Sequence, residues 1–150
     1  GGETVVDAYC GTGTIALTLA ADARQVIGIE SERQAVEDAR ANAADNSLAN
    51  VDIAQARVED WCRSEEAREL RPHVVVLDPP RRGCAPAVLE WLAACRAGRV
   101  IYVSCDPATL ARDLKVLEAA GYCIQSVQPL DMFPQTGHVE CVVLMSRLDE

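Results

Sequence analysis

Short apolar runs alternate along the chain with segments in which apolar residues recur every three to four positions. The runs at 4–8, 25–29, 51–54, 74–77, 99–104, 122–128 and 139–146 read as strands. Between them, 13–21, 32–46, 58–69, 86–96 and 107–120 carry the helical period. Strands with helices between them imply right-handed βαβ crossovers and a mostly parallel sheet. No helix separates the last two runs, which are joined by 129–138, so the C-terminal edge is expected to be an antiparallel hairpin. In open α/β sheets ligands bind beyond the carboxyl ends of the strands, near the switch in strand order. Each polar motif of this chain falls at such an end.

The 150 residues suffice for one domain around one core, and no apolar run approaches a membrane span. The N-terminus enters a strand pattern almost at once, without the basic and apolar segments of an export signal. So abrupt an opening is expected of a domain cut from a longer protein. The seven cysteines are Cys10, Cys62, Cys84, Cys95, Cys105, Cys123 and Cys141. They are scattered, odd in number and never spaced C-x-x-C, which argues against a disulfide framework and a zinc site. The expectation is a reducing compartment, the cytoplasm, with no metal and no membrane partner. Most cysteines then serve as small apolar fillers.

The net charge of −9 argues at first against a polyanionic partner. Its distribution changes that picture. Residues 1–70 hold 14 acids and 6 arginines, whereas 71–150 hold 9 acids and 8 bases. The second half, near Arg81 and Arg82, is open to a polyanion, with a further domain expected to supply most of the affinity.

The first motif is "DAYCGTGTIAL", from Asp7 to Leu17. Gly11-x-Gly13-x-x-Ala16 follows a strand and opens a helix, where glycines allow close backbone approach and free N–H groups await a ligand. Glu30, at the end of the second strand, can accept bonds from ribose hydroxyls. A dinucleotide and S-adenosylmethionine both answer to this pattern. Asp7 at the strand mouth suits a cation-bearing ligand better than a diphosphate. Asp60 in "ARVED" reads either as a partner of an adenine amine or as a helix cap.

The second motif, Asp78-Pro79-Pro80-Arg81-Arg82-Gly83, ends the fourth strand in a loop stiffened by its prolines. Asp78 and Pro79 are placed to meet a planar ring, and Arg81 and Arg82 to hold phosphates. The third is "YVSCDPATLARDL", from Tyr102 to Leu114. Asp106 reads as an N-cap and Pro107 as the first helical residue. Cys105 therefore precedes a helix N-terminus, whose dipole and free N–H groups favour a thiolate. In the fourth, "DMFPQTGHVECVVLM", a loop over Phe133-Pro134-Gln135-Thr136-Gly137-His138 precedes a strand. Glu140 interrupts that apolar strand, as an acid/base group beside the thiol or as an edge acid facing water.

Together these four motifs, in this order and spanning essentially the whole chain, resemble the catalytic domain of the RNA uracil-5-methyltransferases. The resemblance implies a Rossmann-like, S-adenosylmethionine-dependent methyltransferase fold, with tRNA or rRNA as partner through the full-length protein. It implies Cys105 as the nucleophile that adds to C6 of uracil and Glu140 as the base that removes the C5 proton. Asp78 matches the acid of the target pocket. Asp7, Tyr9, Gly11, Gly13 and Glu30 match the cofactor site. Covalent addition serves a purpose, because C5 of uracil is a poor nucleophile until C6 is attacked. Two departures stand out. Asp106 replaces the asparagine usual after the nucleophile, and the 150 residues are expected to be a fragment of a longer protein that lacks the family's upstream RNA-binding region. The 150 residues alone are therefore expected to fold but to bind RNA poorly and methylate little. Two other readings are a non-catalytic cofactor-binding module and a nicotinamide-dependent oxidoreductase, for which the sequence offers no hydride-transfer site.

Overall fold

The computed structural model describes residues 1–131, 135 and 139–148. One sheet holds β1 (Thr4–Ala8), β2 (Gln25–Glu30), β3 (Val51–Gln55), β4 (Val74–Leu77), β5 (Arg99–Ser104), β6 (Tyr122–Leu130) and β7 (Glu140–Arg147). Its order is β3-β2-β1-β4-β5-β7-β6. The first five strands are parallel, and β7 lies antiparallel between β5 and β6. The direction of growth reverses between β1 and β4, so their carboxyl ends flank the switch point.

The helices are α1 (Thr14–Ala20), α2 (Arg33–Asp45), α3 (Val58–Trp61), α4 (Glu65–Glu69), α5 (Pro86–Cys95) and α6 (Pro107–Ala119). The single helix expected over 58–69 is two. Ser64 leaves the helical region and its hydroxyl accepts from the Ala67 amide at 3.1 Å, which restarts the chain as α4. The strand expected over 122–128 runs on to Leu130, because pairing with β7 continues through Pro129 and Cys141. A register shift between Ile124 and Ser126 and the proline at 129 interrupt this exposed edge strand. Of the loop expected at Phe133–His138, all but Gln135 lies outside the described residues.

Two faces follow from strand alternation. Val6, Ala8, Val75, Leu77, Val100, Tyr102, Val143 and Met145 point to one face and pack with α3, α4, α5 and α6. Val5, Val26, Val74 and Val76 point to the other and pack with α1. On that second face α2 packs through Val36 and Ala39 against Cys10 and Ile53. Among the described residues no helix is long and apolar enough to cross a membrane. Nor do those residues contain a His, Cys, Asp and Glu group arranged to hold a metal ion.

Candidate functional site

The loop after β1 is built to expose its backbone. Tyr9 takes φ 65°, a conformation side chains usually avoid, and Gly11 follows at 55°. Gly13, at φ 89°, stands at the N-cap of α1, where an added Cβ would come within 3.3 Å of Ala39. Glu30 holds this loop open. Its Oε2 accepts from the Gly11 amide at 2.9 Å, and Oε1 from the Ser31 and Glu32 amides at 2.7 and 2.8 Å. A carboxylate oxygen has two acceptor sites, so Oε2 keeps one for a ligand hydroxyl.

Asp7 is the most unusual group of the site. It is 1% exposed, and neither oxygen has a hydrogen-bond partner of normal geometry. Burial is the main force that pushes its pKa up to about 7, and the Asp78 charge adds to this. The Ala16 amide is near enough to oppose the rise in part. A buried acid without a partner is a place where a cation would be welcome.

Between Glu30 and the loop after β4 lies a cavity of about 190 Å³ lined by Tyr9, Glu30, Val58, Glu59, Pro80 and Arg82. Glu59 sits between Arg57, to which it is hydrogen-bonded, and the Arg82 charge, and its pKa is lowered by hydrogen bonds from its own backbone and Arg57. Asp60 does not line this cavity. It is exposed, meets Arg63 at 3.4 Å, and is not a cap either, since Arg57 occupies the N-cap of α3. The one-turn helix turns Glu59, not Asp60, toward this cavity. Arg82, which is exposed, also lines this cavity.

At the end of β4, Asp78 is open to solvent, yet crowding by the surrounding protein raises its pKa, and the Glu140 charge raises it further. Pro79 is buried beneath it. The Gly83 amide bonds the Pro80 carbonyl at 2.9 Å, closing a tight turn. The Arg81 carbonyl accepts from Thr109 Oγ1 at 2.9 Å, and its guanidinium lies near Asp106.

Cys105 follows β5 directly and is half-buried. Asp106 is the N-cap of α6, with Oδ1 accepting from the Ala108 and Thr109 amides at 3.0 Å each. Those bonds, with the Arg81 charge, hold its pKa below the ordinary value. The carboxylate is thus committed to the helix N-terminus. The β5–β7 ladder pairs Arg99 with Ser146 through to Ser104 with Cys141. Continued by one step, this register sets Cys105 opposite Glu140. Alternation then puts Asp7, Asp78, Cys105 and Glu140 on one face of the sheet, at the same end, on four adjacent strands. Cys10, Cys62 and Cys84 are different: burial pushes each of these thiols up to about 12, which makes them inert fillers at neutral pH.

Sequence reasoning missed Glu59 and the conformation of Tyr9. It also missed Asp113, a fully buried acid on α6 that bonds the loop after β4. The signal was present, since Asp113 interrupts the apolar stripe of Leu110, Leu114 and Leu117.

A family model described as tRNA (uracil-5-)-methyltransferase matches residues 2–148. The chain is 51% identical over 150 residues to an uncharacterized RNA methyltransferase of Bacillus cereus, a match that takes in 100% of this chain and 33% of that protein. A second relative, from Gloeobacter violaceus, is 53% identical over 145 residues, 97% of this chain and 31% of that protein. The chain therefore spans about a third of the length of these relatives. Among solved structures, the Pyrococcus abyssi tRNA (uracil-54, C5)-methyltransferase in complex with S-adenosyl-L-homocysteine superposes with a TM-score of 0.80 at 36% identity. That match covers 97% of this chain and 34% of the other. An rRNA methylase from Streptococcus thermophilus superposes with a TM-score of 0.78 at 14% identity, covering 98% and 87% of the two chains, a likeness of fold.

Proposed function

The chain belongs to the tRNA (uracil-5-)-methyltransferase family, and from that premise we propose that it is the catalytic domain of an S-adenosylmethionine-dependent RNA uracil-5-methyltransferase. One observation carries the reading: the β5–β7 ladder ends with Ser104 paired to Cys141, a register that, continued by one residue, would face Cys105 with Glu140, whose charge also raises the pKa of Asp78.

The donor set suits the cofactor. Asp7 offers a buried carboxylate to its cationic end, Glu30 Oε2 an open acceptor to a ribose hydroxyl, and the Tyr9–Glu59 cavity a slot for a flat ring. When bound, S-adenosylmethionine would supply an electrophilic methyl group to C5 of the target base, its sulfonium S–CH3 bond breaking to leave S-adenosylhomocysteine. The chain's own residues do the rest. Cys105 Sγ, as thiolate, forms a bond to C6 of uracil and pushes electron density onto C5. Asp78, beside the target, orients the ring. Glu140 takes the C5 proton, the C5–C6 double bond re-forms, and the C6–S bond breaks to return the thiolate. Asp106, turned into the helix N-terminus, leaves the thiol's surroundings rather than confronting it. A base in a helix would first have to leave its stack, which costs a few kcal/mol and favours loop uridines.

The test uses the full-length protein and an RNA containing 5-fluorouridine, whose C5 substituent cannot leave as a proton. A covalent complex that needs S-adenosylmethionine and vanishes in Cys105→Ala is the expected result. No complex, with S-adenosylmethionine still bound, would instead leave a cofactor-binding module without the chemistry.

A further inference from the structure

Asp113 plays no part in the steps above, yet it is the best-connected buried acid among the described residues. It is 0% exposed. Its Oδ2 accepts from the Cys84 amide at 2.8 Å and from the Tyr102 hydroxyl at 2.6 Å. Its Oδ1 accepts from Arg112 Nε at 2.9 Å. Three of its four lone-pair directions thus meet strong donors, as a buried carboxylate requires.

The position of these bonds matters more than their number. Thr109, Arg112 and Asp113 lie on one face of α6, at i, i+3 and i+4. From that face Thr109 Oγ1 donates to the Arg81 carbonyl at 2.9 Å, an Arg112 nitrogen donates to the Arg82 carbonyl at 2.9 Å, and Asp113 accepts from the Cys84 amide. The loop that begins at Asp78 is therefore stitched to α6 through three of four successive residues. The residue between them confirms how close the approach is. At Gly83, φ 77°, an added Cβ would come within 2.6 Å of both Arg112 and Asp113. The same helix begins two residues after Cys105, and Tyr102, the third partner, lies on β5 three residues before that cysteine.

We propose that Asp113 is a positioning residue of the reaction: it locks the Asp78 loop onto the β5–α6 unit that carries Cys105, and so fixes the space between target-pocket acid and nucleophile. The inference rests on the function proposed above. It explains why an acid occupies an otherwise apolar helical stripe, and why the two motifs, joined by no strand pairing at the loop itself, are held together by side-chain bonds. Small displacements at such a site are costly, since misplacement by about 1 Å can lower a rate ~10²-fold.

The experiment compares full-length Asp113→Asn with Leu117→Ala, a cavity variant one turn along α6 whose side chain forms no hydrogen bond to the loop. Single-turnover formation of the Cys105 adduct with 5-fluorouridine RNA is measured at saturating RNA and S-adenosylmethionine, beside Tm and amide exchange of the 79–84 segment. Asp113→Asn is expected to slow adduct formation on the order of 10–100-fold and to speed exchange at Cys84. Leu117→Ala should lower Tm while keeping the parent's rate. Arg112→Gln, which removes the neighbouring stitch, should slow the rate in the same direction. The proposal is overturned if Asp113→Asn reacts at the parent's rate, or if Leu117→Ala loses as much rate at an equal loss of Tm. A parent that forms no adduct at all would instead bring down the proposed function, a result distinct from a reactive parent matched by its Asp113 variant.

Discussion

Replacing Asp7 by Asn should change how stability depends on pH rather than stability alone. In the folded chain burial raises this carboxyl from 3.8 to about 7. Below pH 3.8 it is protonated in both folded and unfolded states and costs nothing. As pH rises from there, the unfolded chain releases the proton while the folded chain retains it, so stability falls until the pH passes about 7. At about 1.36 kcal/mol per pH unit the whole interval is worth about 4 kcal/mol, an upper bound because the folded chain relaxes around a charge. Asn is neutral throughout and carries only a pH-independent cost of about 1–3 kcal/mol for a buried amide without partners. Urea unfolding of parent and variant between pH 4.5 and 8.5, followed by far-ultraviolet dichroism, measures the difference. Groups common to both chains cancel. The variant should gain on the parent steadily up to about pH 7 and then hold level. Added S-adenosylmethionine should flatten the parent's curve alone, because a cationic ligand favours the carboxylate. Parallel curves for the two proteins would refute the burial argument and, with it, the picture of a cation seat at the mouth of β1.

Three further outcomes test neighbouring parts of the site. Glu140→Gln should lower the Asp78 pKa, read from the carboxyl carbon shift in a pH titration, because the Glu140 charge helps hold it up; an unchanged titration would separate the two residues. Asp106→Asn should keep Tm close to the parent's, since Asn caps a helix as well as Asp, whereas Asp106→Ala should lower it by stripping the bonds to Ala108 and Thr109. The Asp106 contribution should be present above pH 3.8 and fade as acid protonates the carboxylate. Gly28→Ala should cost about 1–3 kcal/mol in urea unfolding, because its Cβ would come within 2.7 Å of Ile53 and 2.9 Å of Cys10. Adding Cys10→Ala should return part of that loss.

The parallel half of the fold was readable because buried strands announce themselves as unbroken apolar runs. Val74–Leu77 needs no partner to be recognised. The helix at 58–69 was misread because its apolar period runs through Ser64, and only the bond from that hydroxyl to Ala67 restarts the chain. Glu59 is not singled out by the sequence, because one turn of helix is too short for periodicity to fix which side faces inward. Asp113 interrupts an apolar stripe, but it went unread because its partner Cys84 lies 29 positions earlier and no local pattern joins them.

The register that would bring Cys105 to face Glu140 is the hardest feature to read from sequence. Both residues were legible as chemistry, but the connection from 131 to 139 does not dictate which residues of β6 and β7 align. Register is set instead by apolar alternation, Val143 and Met145 turning inward onto the core while Val142 and Leu144 turn to the other face. A slip of one residue in β7 would bury Val142 in place of Val143 and carry Glu140 to the face away from Asp78. The same packing that holds the edge of the sheet together therefore decides whether acid and thiol share a face. Such a site is selected by the core beneath it, several residues from any group that would touch the base.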